Sequence, residues 1–278
     1  MSSARLRALG RELLAGPFVI WMVLFTVIPL AMMFARGLTD EDGVFTLANI
    51  AATGEPIYLN ALLLSLELSV ISTVICLLIA YPLALVLRTM KHGSTGAVIF
   101  IFVLPMWMNF LLRTIAWQSL LEHEGVINGI LGAIGLPDIN IINTPAAIVL
   151  GMVYNYLPFM VLPLYNALAK IDDDLINAAH DLGANYWQTL ARVIVPQSVP
   201  GIVSGITMVF VPSLTTFAVS DILGGGRVML IGNLIEQQFT VSYDWNAGAG
   251  LSIVLMVFVL ASMALMNAFD KNGEGRVM

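Results

Sequence analysis

The sequence predicts an all-α polytopic membrane protein with six transmembrane helices, and three observations carry that prediction. The first is composition: of 278 residues, 59% are hydrophobic and 11% are charged, against about 25% charged in an ordinary soluble domain. One apolar core of this size could not hide so much apolar surface from water, so lipid must be part of the solvent. The second is that stretches free of Asp, Glu, Lys and Arg run 17–35, 68–87, 93–112, 139–169, 193–220 and 245–269. Each is close to or longer than the roughly 20 residues that cross a hydrocarbon core. In lipid the backbone has to satisfy its own hydrogen bonds, which makes these runs helices. The third is where the cations fall. Arg5, Arg7, Arg11, Arg88, Lys91, Lys170, Arg192, Lys271 and Arg276 occupy the N-terminus, the second and fourth loops and the C-terminus, while Arg36, Arg113 and Arg227 lie at the other face. This positive-inside bias puts both termini in the cytoplasm.

The elements follow in order. The first span, 17–35, comes after Arg5–Arg11 and resembles a signal peptide in outline. No clean small-x-small cleavage site follows it, so it is expected to stay as an anchor helix. The second and third spans are placed at about 63–87 and 95–118. The fourth run opens on Pro137, Asn140, Asn143 and Pro145, turn-formers that delay its helix to about 145–168. The fifth and sixth spans are placed at about 198–220 and 247–269. The outward segments, about 36–60, 122–144 and 221–244, are too short to fold alone, so residues 1–278 are read as a single transmembrane domain.

Several functions are disfavoured by composition. A net charge of −6 argues against a nucleic-acid surface. The single cysteine, Cys76, can form no internal disulfide. His92, His123 and His180 are far apart in sequence and suggest no metal cluster, and there is no G-x-x-x-x-G-K-[ST] loop to hold a nucleotide.

The most informative stretch is the inward loop 170–196. Asp172, Asp173 and Asp174 place negative charge at a helix N-terminus, where the macrodipole favours it. Leu175, Ala178, Ala179 and Leu182 then form one apolar stripe, and Gly183 is positioned to end the helix. Asn185 with Gln188 reads as a capping box for a second helix. That helix carries its own stripe of Trp187, Leu190, Ala191 and Ile194, and Pro196 is expected to break it before the fifth span begins. A helix resting on lipid prefers Lys and Arg on its polar face. This one carries acids, so the loop reads as a docking site for another protein.

The pattern Asn177-Ala-Ala-His-Asp-Leu-Gly183, followed by Ile194-Val-Pro196, closely resembles the coupling loop of permeases from binding-protein-dependent ABC importers of the type I fold. The family pattern is E-A-A, two residues, a hydrophobic position and G, then I-x-L-P. Ala178, Ala179, Leu182, Gly183, Ile194 and Pro196 match it. Asn177 stands where glutamate is usual, and Val195 stands before the proline. The segments 104–113, 151–165, 221–226 and 230–235 look like the first permease subunit of spermidine/putrescine importers. The resemblance implies the type I ABC importer permease fold in a bacterial inner membrane. It also implies a coupling role for Asn177, Ala178, Ala179, His180, Asp181, Leu182, Gly183 and Pro196. The implied partners are a second homologous permease, an ATPase dimer that holds ATP and magnesium, and an extracellular or periplasmic substrate-binding protein. The chain itself would be no enzyme and would bind no cofactor. The implied cargo is a polyamine. The alternatives are another small cargo, such as an amino acid or organic cation, or a secondary transporter, whose usual inverted repeat is not evident.

Polar residues inside spans are costly and mark candidate pathways. Glu67, Trp107, Asn109, Tyr154, Asn155 and Asp221 are the candidates, with Ser213, Thr215 and Thr216 as further polar groups on the fifth span. Glu67, Arg113 and Asp221 are expected to approach one another at the outer face, either as a charged vestibule or with Glu67 paired to Arg113. Pro158 and Pro163 are expected to interrupt the fourth helix and Pro212 the fifth. Gly201 and Gly205 form a G-x-x-x-G pair, which reads as a site of close helix packing.

Overall fold

The computed structural model describes residues 16–90 and 92–274. Arg5, Arg7, Arg11, Lys91 and Arg276, which enter the orientation argument, lie outside the described residues. The helices are α1 (Gly16–Gly37), α2 (Pro56–Thr89), α3 (His92–Val103), α4 (Phe110–Leu121), α5 (Val126–Ala133), α6 (Pro145–Leu168), α7 (Asp173–Asp181), α8 (Tyr186–Thr215), α9 (Ala218–Gly224), α10 (Ile231–Thr240) and α11 (Trp245–Glu274). No strand forms among the described residues beyond an isolated antiparallel bridge between Thr39 and Phe45. Five helices, α1, α2, α6, α8 and α11, are long and apolar enough to cross a membrane, and the bent pair α3–α4 supplies up to a sixth.

The chain divides into two compact units. In the first, formed by residues up to 58 together with 235–257, α1 meets the start of α11 at Gly37. A Cβ there would lie 2.6 Å from Ile253 Cδ1 and 3.0 Å from the Ala249 backbone. Asn49 fastens the following loop by donating from Nδ2 to the carbonyls of Gly37 and Thr39.

The second unit, residues 59–234 and 258–278, contains a continuous apolar core. Its centre is α6 packed on α8. Ile148, Met152, Met160, Leu164 and Leu168 of α6 are fully buried there. The approach is close because Gly201 and Gly205 face α6: a Cβ on Gly201 would lie 2.5 Å from Ala167 Cβ, and one on Gly205 2.6 Å from Met160 Sδ. The expected packing role of this glycine pair is what the structure shows. A stripe of small residues on α2, Ser65, Ser69, Ser72, Thr73, Cys76, Ala80 and Ala84, is buried as well. Its hydroxyls are satisfied largely within the helix: Ser65, Ser69 and Thr73 each donate to the carbonyl four residues earlier, at 2.6–2.7 Å.

Several expectations need correction. The third span is not one helix over 95–118. It breaks after a 3-10 turn at Leu104–Trp107, and the two arms are bent by 92°. Pro105 lacks an N–H to continue the helix, Met108 is extended, and Asn109 caps a new helix. Pro158 and Pro163 do not interrupt α6, nor does Pro212 interrupt α8. Membrane helices tolerate internal prolines because neighbouring helices hold the segment together. Pro196 does not separate the loop from the membrane helix either. A π-turn at Leu190–Ile194 precedes it, so that Val195 N–H bonds Leu190 O and the helix runs on through the proline. The wider turn absorbs the missing donor.

Candidate functional site

The loop 170–196 builds itself from short-range interactions. Asp172 caps α7 by accepting from Asp174 N–H at 3.0 Å. Leu182 closes the helix, and Gly183 adopts φ +83°. Gly183 N–H donates to His180 O at 2.8 Å and Ala184 N–H to Ala179 O at 3.0 Å, the pair of bonds that defines a Schellman motif. The capping box then opens α8: Gln188 N–H donates to Asn185 Oδ1 and Asn185 N–H to Gln188 Oε1, both at 2.9 Å. The turn is therefore satisfied on both sides and holds its shape without help from the membrane.

The hairpin presents an apolar surface away from its own chain. Leu182 is 89% exposed and Trp187 73% exposed, with Leu175 and Tyr186 open beside them. Tyr186 and Trp187 meet edge to face at 5.6 Å. Asn177, Ala178, His180 and Asp181 are exposed on α7, Ala179 is half-buried, and Pro196 is exposed on α8. Of the second stripe, Trp187 and Ala191 face outward while Ile194 is buried. A concavity of about 450 Å³ lies between the two helices, lined by Ala179, Leu182, Gly183, Gln188, Thr189 and Arg192 among others. Small side chains at its wall leave room for a knob from another surface.

Sequence reasoning missed the residue that anchors this hairpin. Arg88, in the last turn of α2, donates from Nε to Leu168 O at 2.9 Å and from Nη2 to Ile171 O at 3.0 Å. Nη2 also meets Asp173 Oδ1 at 2.6 Å. One guanidinium thus joins the ends of α2 and α6 to the start of α7. The only available sequence signal was a basic residue at a helix end, since its acceptors lie 80 to 85 positions away.

The pathway candidates are not gathered into one group. Glu67 is exposed on α2, off the stripe that carries Ser65, Leu68, Ser69 and Ser72 inward. Arg113 sits in the first turn of α4, 8% exposed, and its Nε and Nη1 have no hydrogen-bond partner. The expected Glu67–Arg113 pair is absent: among the described residues the ion pairs are Arg88–Asp173 and a long His123–Asp138 contact. The helical phase of Glu67 and the bend before α4 turn the two side chains to different surroundings. Trp107 is 77% exposed at the α3–α4 break. Asn109, also exposed, accepts from Leu111 N–H at 2.8 Å as the cap of α4. Tyr154 packs edge-on against Trp117 at 5.2 Å. Asn155 is 1% exposed; its Nδ2 donates to Gly151 O while Oδ1 is unpartnered. Asp221 does not end α8, which stops at Thr215; it lies exposed in α9 after the break at Thr216 and Phe217. Ser213 and Thr216 are buried and Thr215 exposed.

The segment after α8 is stapled by residues that the sequence marked only as a motif. Asn233 Oδ1 accepts from Ser220 Oγ and from Leu230 N–H, while Nδ2 donates to Phe217 O. Ser65 Oγ of α2 accepts from Ile231 N–H at 2.8 Å. Gly225, with φ +55°, leaves space for the Asn143 side chain, which a Cβ would strike.

Helices long and apolar enough to cross a membrane, with a capped hairpin between two of them, define the chain as a polytopic membrane protein. The comparison with known proteins agrees. The chain belongs to the family described as binding-protein-dependent transport system inner membrane component, which matches residues 13–273. It is 39% identical over 254 residues, 88% of this chain and 92% of the relative, to the spermidine/putrescine transport system permease protein PotB of Escherichia coli (strain K12). It is 29% identical over 281 residues, 93% of this chain and 90% of the relative, to the inner membrane ABC transporter permease protein YdcU of the same organism. Among solved structures, a chain of a bacterial ABC transporter involved in the import of the acidic polysaccharide alginate superposes with a TM-score of 0.81. That match covers 99% of this chain and 100% of the other at 18% identity, and it speaks for the fold alone.

Proposed function

We propose that this protein is the permease subunit of an ATP-driven importer of the polyamines spermidine and putrescine, coupled to its motor through residues 170–196. The observation that carries the coupling role is the pre-formed hairpin, capped on both sides of Gly183, with Leu182 and Trp187 held out where no described residue covers them. The polyamine cargo is supported by relatives of 38–39% identity from Escherichia coli and Haemophilus influenzae, which are named as spermidine/putrescine permeases. In this reading the chain pairs with a second homologous permease and receives cargo from a substrate-binding protein outside the membrane. An ATPase dimer grips Asn177, Ala178, Ala179, His180, Asp181, Leu182 and Gly183. ATP and magnesium belong to that partner. The loop and both termini then face the cytoplasm, in accord with the cation bias. The spans act as one permease domain, and closure of the ATPase dimer rocks the two permeases to alternate access. Asn177 in place of glutamate offers an uncharged amide at the motor contact. Glu67 and Asp221 are exposed acids suited to meet a polycation, and Trp107 and Tyr154 offer aromatic faces to it.

The test is reconstitution with the partner subunits in proteoliposomes. Labelled spermidine and putrescine should enter with ATP, labelled amino acids should not, and Ala178→Cys should cross-link to the ATPase. Uptake of amino acids in place of polyamines would overturn the cargo assignment. An Ala178→Cys variant that reacts only with lipid-soluble probes would overturn the coupling role.

A further inference from the structure

Arg88 has more bonds than orientation in a membrane requires. A cation near the end of α2 would satisfy the positive-inside rule while solvated. Here the guanidinium is folded back into the protein, with 13% of its side chain exposed, and is shared among three acceptors within residues 168–173, which run from the end of α6 into the start of α7. Leu168 O is one of the last carbonyls of α6, which have no partner within their own helix. Arg88 also lies in the last turn of α2, so the C-terminal dipoles of both helices favour its charge. Ile171 O belongs to the connection into α7, and Asp173 lies in the first turn of α7, where a carboxylate is favoured in turn. A guanidinium can serve all of these at once because its donors form a rigid planar fork.

The geometry points to Arg88 as the positioning residue that transmits motion of the coupling helix α7 into the membrane helices α2 and α6. The connection between α6 and α7 is the four residues from Ala169 to Asp172, and the backbone leaves α6 through a turn at Lys170 and Ile171. Without a cross-brace, a pull on α7 would be spent in opening that turn. With Arg88 in place, displacement of Asp173 moves Ile171, the end of α6 and the end of α2 together. This rests on the coupling-loop reading above and adds the route by which the stroke leaves the loop.

The experiment uses the full transporter with its partner permease and ATPase in nanodiscs and proteoliposomes. Uptake of labelled spermidine is divided by ATP hydrolysed. Arg88→Gln should lower that ratio about tenfold or more, the scale expected for losing a set of charge-assisted hydrogen bonds, while the complex assembles and still hydrolyses ATP. Arg88→Lys, which keeps the charge without the fork, should fall between Arg88→Gln and the wild type. Asp173→Asn, which leaves both carbonyl bonds intact, should cost least. Spin labels on Ala178→Cys and Val70→Cys should report one distance with and without nucleotide in the wild type, and a nucleotide-dependent spread in Arg88→Gln. Cross-linking of Ala178→Cys to the ATPase should persist in the Arg88 variants, which separates a broken joint from a lost docking site. An unchanged ratio in assembled Arg88→Gln would overturn the proposal, as would Asp173→Asn costing as much as Arg88→Gln. If neither Arg88 variant assembles, Arg88 is a folding residue and the proposal falls. If the wild type moves no polyamine, the cargo assignment fails, and the distance measurement decides the joint by itself.

Discussion

The α6–α8 seam and the turn from α7 into α8 both depend on glycine, for opposite reasons. Gly201 and Gly205 have ordinary helical backbone and no room: a Cβ at Gly201 would sit 2.8 Å from Pro163 O as well as against Ala167. Gly183 has nothing within 4 Å of its would-be Cβ, but its φ of +83° is one that side chains resist. The seam needs the absence of volume, and the turn needs the absence of a conformational penalty. Space can be recovered only if two helices move apart, whereas a strained turn can relax locally. The seam is therefore the less forgiving of the two.

Substitutions should rank accordingly. Gly201→Leu should be the most damaging, costing about 3 kcal/mol or more, the upper range for overpacking. The expected result is a large drop in the thermal midpoint of the detergent-solubilised protein, and an unchanged midpoint would mean the seam is looser than the structure shows. Gly183→Ala should cost about 1–2 kcal/mol, the penalty for a left-handed residue with a Cβ. Its effect should be confined to faster hydrogen exchange at Gly183 and Ala184, so a global loss of protection would erase the distinction drawn here. Asn185→Ala removes one half of the capping box and should cost about 1 kcal/mol, read as fraying of the first turn of α8; Asn185→Asp should restore most of it. Gly129 sharpens the comparison from the other side, because it lies inside α5 with open space and no positive φ. Gly129→Ala should be neutral or stabilising by about 0.5 kcal/mol, and a clear loss of stability there would show that space, as judged within this chain, is filled by a partner.

The two helix ends that make the hairpin, the stop at Gly183 and the capping box of Asn185 and Gln188, were legible in the sequence. Gly183, Asn185 and Gln188 act on groups no more than five residues away, so residue type and spacing are enough to foresee them; Asp172 was foreseen only as negative charge at the start of the helix, and it is the cap. The G-x-x-x-G pair was legible too, because its meaning depends only on helical spacing and small size. Pro196 was misread. A proline signals a missing donor, but whether the chain breaks or adds a π-turn depends on what holds the helix on either side. Pro158, Pro163 and Pro212 were misread for the same reason. The break at Leu104–Trp107 shows the converse. Pro105 and Asn109 carried the local signals, and the apolar run across them concealed those signals. Arg113 looked like an outer-face cation and is instead buried with unpartnered nitrogens. Its surroundings are set by the bend before α4, which hydropathy does not encode.

The amino-acid sequence alone determined that this chain crosses the membrane repeatedly as helices and that a capped hairpin separates two of its apolar runs. Both follow from forces that act on a residue and its near neighbours: transfer of apolar side chains into lipid, and hydrogen bonding at helix ends. Tertiary structure decided which faces of the helices meet and whether a proline kinks or breaks its helix. It also decided that Arg88 braces α7 to α2 and α6 while Glu67 and Arg113 stay apart. Those outcomes turn on groups dozens of positions distant, brought together only when the helices pack.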